Sequence, residues 1–180
     1  LLEEVQALPG AFIQSITFSS PNHDYFNIDL RKTSLKNIPK GFVIRRKIFD
    51  NFLFEKVKVT DVDTRENFSV TDLIQKDGNV SGVRGKDRAT GDEFDFRSKL
   101  VFGADGYSSI VSRKRNLYEH DPEHWVVALR CYYKNVAGLT DQIELHYIDE
   151  VIPGYFWIFP IEEGYANVGV GMLHSIIKRR

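Results

Sequence analysis

A single cysteine in 180 residues rules out an internal disulfide, and no apolar run approaches the length needed to cross a bilayer as a helix. No sign of charge dominates either. Twenty-four Lys and Arg face 25 Asp and Glu for a net charge of −1, which gives no reason to expect a nucleic-acid partner. The basic runs are short: Arg113-Lys114-Arg115 reads as a solvated helix end, and the run at 178–180 ends the sequence. No secretory signal, internal repeat or low-complexity stretch is legible. What is present is 42% hydrophobic residues, 13% of the chain being aromatic, enough to bury a core of ordinary domain size shared between two lobes. Cys131 lies in a strand-like run at 125–133, and a buried thiol is the expectation there.

Hydrophobic periodicity gives a mixed α and β pattern. Residues 12–19 and 25–30 alternate like a hairpin around the turn Pro21-Asn22-His23-Asp24. A short strand at 42–44 leads into a helix at 47–59 whose apolar face carries Ile48, Phe49, Phe52 and Leu53. Runs at 68–75, 80–86 and 93–96, separated by Asp77-Gly78-Asn79 and Thr90-Gly91, predict a three-stranded antiparallel meander. A strand at 100–102 and a helix at 108–115 follow. Four strands at 125–133, 142–148, 155–159 and 166–172 complete the chain.

Three segments carry chemistry. Residues 99–113 read KLVFGADGYSSIVSR, an apolar run expected to form a buried strand, a glycine corner and a helix start. Gly103 and Gly106 let the backbone turn tightly against a ligand, and Asp105 offers an ionised acceptor suited to sugar hydroxyls rather than to a phosphate. Ser108 or Ser109 can cap the helix. An ordinary strand-turn-helix corner with an exposed Asp is the plainer reading. Residues 41–53, GFVIRRKIFDNFL, place Arg46 at a strand-to-helix junction, where a guanidinium can pair with a diphosphate. The plainer reading is a surface ion pair with Asp50 or Glu55. Residues 153–172, PGYFWIFPIEEGYANVGVGM, read as a hairpin turning at Glu162-Glu163-Gly164, with Tyr155, Trp157 and Phe159 on one face. Such a stripe serves a core or a ligand wall.

Taken in order, these segments resemble the geranylgeranyl reductase family of FAD-dependent oxidoreductases, within the flavoproteins built like para-hydroxybenzoate hydroxylase. The resemblance rests on Arg46, Phe49, Asp50 and Leu53 in R-x-x-F-D-x-x-L, and on Gly103-Ala104-Asp105-Gly106 with Ser109 in GADG-x-x-S. Tyr155, Trp157, Phe159 and Pro160 in Y-x-W-x-F-P, then Val168, Gly169 and Gly171 in V-G-x-G, make the narrowest part of it. It covers residues 41–172.

The resemblance implies a fold class of mixed α/β, or α+β, type: a central fragment of an FAD-binding flavoprotein with an antiparallel substrate-lobe sheet and part of the cofactor lobe. Residues 1–45 and 119–180 would then belong to the substrate lobe, the N-terminal hairpin joining its sheet, and 46–118 to the FAD-binding lobe. Arg46 would serve the diphosphate of FAD, and Asp105 with Gly106 its sugar chain. Tyr155, Trp157, Phe159, Pro160, Gly169 and Gly171 would face a long apolar substrate, an isoprenoid or lipid, whose carbon-carbon double bonds are reduced with electrons from NAD(P)H or a ferredoxin. No catalytic residue is assigned. The family's G-x-G-x-x-G loop is absent from this sequence, as is its Gly-Asp segment after the aromatic motif, so the chain reads as the middle of a longer protein and is expected to purify colourless. A cytoplasmic protein is expected, with peripheral membrane contact left open.

A flavin-dependent halogenase or aromatic hydroxylase is the nearer alternative; halogenases carry a related W-x-W-x-I-P motif, against which Tyr155 and Phe159 stand. A non-catalytic lipid-binding relic is the other. No metal site is expected. Pro122 interrupts the His120 and His124 pair, and Asp61, Asp63 and Glu66 lack the glycine and terminal glutamate of a calcium loop. Asp92, Glu93 and Asp95 read as the polar side of a strand, and no Ser-His-Asp arrangement follows from spacing.

Overall fold

A computed structural model describes residues 1–32, 41–162 and 164–177. The order of elements is α1 (Leu2–Gln6), β1 (Gly10–Phe12), β2 (Ser15–Ser19), β3 (Tyr25–Asp29), β4 (Phe42–Ile44), α2 (Arg46–Lys58), β5 (Phe68–Lys76), β6 (Asn79–Asp87), β7 (Glu93–Arg97), α3 (Ile110–Lys114), β8 (Val126–Tyr133), β9 (Gln142–His146), β10 (Tyr155–Pro160), β11 (Ala166–Leu173) and α4 (His174–Ile177). The chain divides into two compact units, Leu1–Val59 with Asp121–Arg180, and Thr60–His120. Helix α2 falls in the first of these.

The first unit is built on a six-stranded sheet in the order β3-β2-β9-β10-β11-β8, beside a two-stranded ribbon of β1 and β4. The N-terminal hairpin does join this sheet. Two details differ from expectation. Residues 12–19 are not one strand: β1 pairs with β4 and β2 with β3, because the chain leaves one sheet for the other after Phe12. Nor is the sheet wholly antiparallel, since β2 runs parallel to β9. A partner 127 residues downstream leaves no local turn signal to reveal that pairing.

Cys131 is exposed, not buried. It sits on β8, an edge strand whose residues are all exposed, so position in an apolar run did not translate into cover.

The second unit contains the meander β5-β6-β7. Asp77 and Gly78 both take positive φ, 52° and 79°, as a two-residue hairpin turn demands, and Gly91 at 85° makes the next turn. Arg84 on β6 forks across to both carboxylate oxygens of Asp95 on β7, at 2.7 and 3.0 Å. The segment 100–102 is a correction: it is irregular, pairs with no strand among the described residues, and leaves Leu100 65% and Phe102 84% exposed. An apolar run forms a buried strand only when neighbouring strands satisfy its backbone, and the meander ends at Arg97. The basic end of α3 is anchored rather than simply solvated. Lys114 pairs with Asp72 at 3.1 Å and Arg115 donates to Gln75 at 3.0 Å, both on β5. The basic run at 178–180 and Glu163 lie outside the described residues.

No helix among the described residues is long and apolar enough to cross a membrane, and no group of three or more His, Cys, Asp or Glu there is arranged to hold a metal ion.

Candidate functional site

The two-residue period of β10 puts Tyr155, Trp157 and Phe159 on one face, with successive ring centroids 6.1 Å apart. Across the ladder they stand opposite Gly171, Gly169 and Asn167 of β11. The glycines explain themselves there. A Cβ on Gly169 would lie 2.3 Å from Cζ2 of Trp157, so the indole occupies the space a side chain would fill. Gly171 is roomier, with Trp157 and Ala128 at 3.7 Å from the Cβ position. The indole N–H of Trp157 points to Asn167 Oδ1 at 3.3 Å. Pro160 closes the strand and is buried.

An apolar cavity of about 320 Å³ opens at the Tyr155 end of this wall, lined by Val126, Ala128, Tyr155, Trp157, Gly171 and Met172 among others. That volume is within the range of small-molecule pockets. Tyr147, 6.1 Å from Tyr155 between centroids, leads toward a second groove of about 650 Å³ that includes Phe18, Phe26, Ile152 and Pro153.

At the entry to α2, the two adjacent arginines have different surroundings. Arg46 is 73% exposed, and its Nε donates to Asp50 Oδ1 at 2.8 Å across one helical turn. That carboxylate raises the guanidinium's pKa. The surface ion pair is therefore formed, and it uses the Nε edge of Arg46. Arg45 turns inward: it pairs with Glu162 Oε1 at 2.5 Å and lies 4.3 Å over the ring of Tyr165 and 5.8 Å from that of Tyr132. Glu162, expected in a polar turn, is only 17% exposed. Arg45 Nε and Glu162 Oε2 are enclosed without a hydrogen-bond partner among the described residues.

In the second unit, Asp105 Oδ2 accepts from the backbone N–H of Ile110 at 2.7 Å, the first residue of α3. Ser109 is the N-cap, its Oγ accepting from Ser112 N–H at 3.0 Å. The Ser109 hydroxyl, followed by the backbone N–H groups of Ile110, Asp105 itself and Val111, holds the Asp105 carboxyl below its usual pKa. Asp105 thus has a local role at the helix entry before any ligand is considered. The two glycines beside it differ in kind. A Cβ on Gly103 would strike Val111 at 2.7 Å, whereas Gly106, at φ 71°, has nothing within 4 Å of the Cβ position and leaves its backbone approachable. A groove of about 300 Å³ beside the corner includes Val83, Phe96, Leu100, Phe102, Asp105 and Val111.

Sequence reading missed Arg45, Glu162 and a cationic stripe on β8 and just past it, Arg130, Tyr132 and Lys134. The alternation R-C-Y-Y-K was the available signal for the stripe. The Arg45 clamp had none, because its partners are far along the chain.

No family model matches the chain. In sequence it is similar to the digeranylgeranylglycerophospholipid reductase of Methanosarcina acetivorans, 37% identical over 138 residues, which are 74% of this chain and 33% of that protein. It thus spans about a third of the length of that curated relative. In structure it is similar to a geranylgeranyl bacteriochlorophyll reductase-like protein from Thermoplasma acidophilum, with TM-score 0.73 and 20% identity over 99% of this chain and 48% of the other. The myxobacterial chondrochloren halogenase, an FAD-dependent halogenase, gives TM-score 0.80 and 22% identity over 98% and 41%. At those identities the structures establish the fold, that of the para-hydroxybenzoate hydroxylase-like flavoproteins, of which this chain corresponds to less than half.

Proposed function

Because the chain belongs to the geranylgeranyl reductase family, we propose that the protein containing it is an FAD-dependent oxidoreductase that saturates carbon-carbon double bonds of an isoprenoid phospholipid. The observation that carries this reading is the aromatic wall Tyr155, Trp157 and Phe159 beside an apolar cavity of about 320 Å³. Flat rings with few rotatable bonds offer large apolar area to a prenyl chain at low entropic cost. The wall stays open to a ligand at one end, Tyr155 being 40% exposed.

Two places, each taken within its own unit, have features that suit part of a flavin dinucleotide. In the second unit Gly106 leaves backbone approachable to a sugar chain; in the first, Arg46 has a largely exposed guanidinium of the kind that pairs with a diphosphate. When bound, FAD supplies the hydride equivalent that an alkene needs. This chain's own residues orient the alkene and exclude water: Trp157 is fixed by the Gly169 slot and the Asn167 contact, and Tyr155 lines the cavity. Electrons would come from a nicotinamide or a ferredoxin, and a lipid substrate would bring the protein to a membrane surface.

The test uses the full-length protein loaded with FAD, reduced with dithionite without oxygen and given a digeranylgeranyl glycerophospholipid. Products heavier by two hydrogens per double bond are expected. Halide-dependent products, or no saturated product, would overturn the reading.

A further inference from the structure

We infer that the face bearing the aromatic wall is bordered by a phosphate-recognition rim, in which Arg130 and Lys134 hold the headgroup phosphate of the lipid whose chain lies along Tyr155 and Trp157. The inference rests on the prenyl-lipid reading above and adds to it the group that sets the lipid's direction.

Ladder register fixes the layout. Tyr155, Gly171 and Ala128 form one rung across β10, β11 and β8; Trp157, Gly169 and Arg130 form the next on the same face; Phe159, Asn167 and Tyr132 form the third. On the β8 side of this face a cation enters at the second rung with Arg130, and a second, Lys134, follows past the third. The apolar cavity takes in Ala128, and Lys134 stands six residues further on, about 20 Å at the rise of an extended strand.

The cations along this side are spaced by tyrosine rings. Arg130 lies 4.8 Å from the Tyr132 centroid, Arg45 lies 4.3 Å over Tyr165, and Lys134 lies 5.5 Å from Tyr165 on its own account. Ring faces steady these side chains without cancelling their charge. Glu162 neutralises Arg45, but no carboxylate lies within ion-pair distance of Arg130 or Lys134 among the described residues. Among the described residues two positive charges thus remain for an anion, beside a wall that suits a hydrocarbon tail. That polarity matches an isoprenoid phosphate ester.

A phosphate could belong to the lipid or to the dinucleotide, and the experiment separates them. In the intact FAD-loaded protein, Arg130→Gln and Lys134→Gln are combined, and kinetics are measured on a prenyl phospholipid and on the same lipid ending in a free hydroxyl. Loss of two charge-assisted contacts should raise KM for the phospholipid about tenfold or more, with kcat for both lipids and KM for the neutral one within about twofold. Flavin affinity should not move. Equal losses on the two lipids, unchanged KM on both, or weakened flavin retention would overturn the inference. Turnover of the neutral lipid by the unmodified protein tests the reductase reading separately. Should neither lipid turn over, quenching of tryptophan emission by each lipid, in the unmodified and doubly substituted proteins, still measures the rim: it stands if only phospholipid binding weakens and falls if it does not.

Discussion

Two glycine sites in this chain look alike as sequence and differ as objects. In the β10–β11 hairpin, Gly169 is glycine because the protein fills the space itself, with the indole of Trp157 pressed where a Cβ would be. At the corner after the meander, Gly106 is glycine because its backbone sits at φ 71°, and the space before it is empty. Absence of a side chain marks a site already closed in the first case and one still open in the second. A glycine motif by itself does not say which. The surrounding order differs too: the hairpin is locked by register on both sides, whereas the corner leans on a cap at the start of a five-residue helix.

The largest effect should come from closing the slot that is already full. Gly169→Ala sets a methyl group 2.3 Å from Trp157 Cζ2 and 2.7 Å from the backbone oxygen of Leu129. The ring can yield, the backbone cannot, so a loss of about 2 kcal/mol is expected, within the usual cost of overpacking. Denaturant midpoints followed by tryptophan emission read this directly, since both tryptophans, Trp125 and Trp157, lie in the first unit. An unchanged midpoint and unchanged emission would break the contrast.

The same hairpin turn should prove sensitive at Glu162. Glu162→Ala leaves the Arg45 guanidinium enclosed between Tyr132 and Tyr165 without its counter-charge. A buried pair broken on one side costs several kcal/mol, but Arg45 keeps 29% of its side-chain surface, so about 1 to 2 kcal/mol is expected. Asp50→Ala, which removes the exposed partner of neighbouring Arg46, should leave the same midpoint nearly unmoved. Equal losses from the two would show that burial is not what separates the arginines.

At the open corner, Gly106→Ala meets no atom but must hold a β-carbon at positive φ, a strain of about 1 kcal/mol. If the space before Gly106 is where the flavin's sugar chain lies, flavin affinity of the full-length protein should fall more than the stability of the 60–120 unit. The reverse order would make the corner an ordinary turn.

Local signals made most of the fold readable. The meander was legible from Asp77-Gly78 and Thr90-Gly91, and the aromatic hairpin from its two apolar runs, the polar turn between them and the two-residue period, because turn chemistry and period act within a few residues. The parallel pairing of β2 with β9 and the clamp of Arg45 on Glu162 were not legible, since each joins segments more than a hundred residues apart. The exposed run 100–102 and Cys131 mark a further limit. Hydrophobicity states what a segment would gain from burial, and only the neighbouring elements decide whether it is buried. Among the site residues, Tyr155, Trp157 and Phe159 do share the expected face, while the role of Asp105 at the helix entry was hidden behind the ligand role its position suggested.

That helix-entry role gives the smallest and most specific test. Asp105 accepts from Ile110 N–H and is held below its ordinary pKa first by the Ser109 hydroxyl. A carboxyl whose folded pKa is depressed stabilises the fold above its unfolded pKa and loses that contribution as pH falls through the folded value. Asp105→Asn keeps an oxygen acceptor and removes the charge, so the unmodified protein should hold α3 more firmly near neutrality and lose that advantage on acidification below the usual carboxylate range. Thermal unfolding followed through the amide signals of Ile110 and Val111 at both pH values checks it. A difference that persists unchanged into acid would mean that the carboxylate's charge does nothing at the start of α3, and that Asp105 is available to a ligand after all.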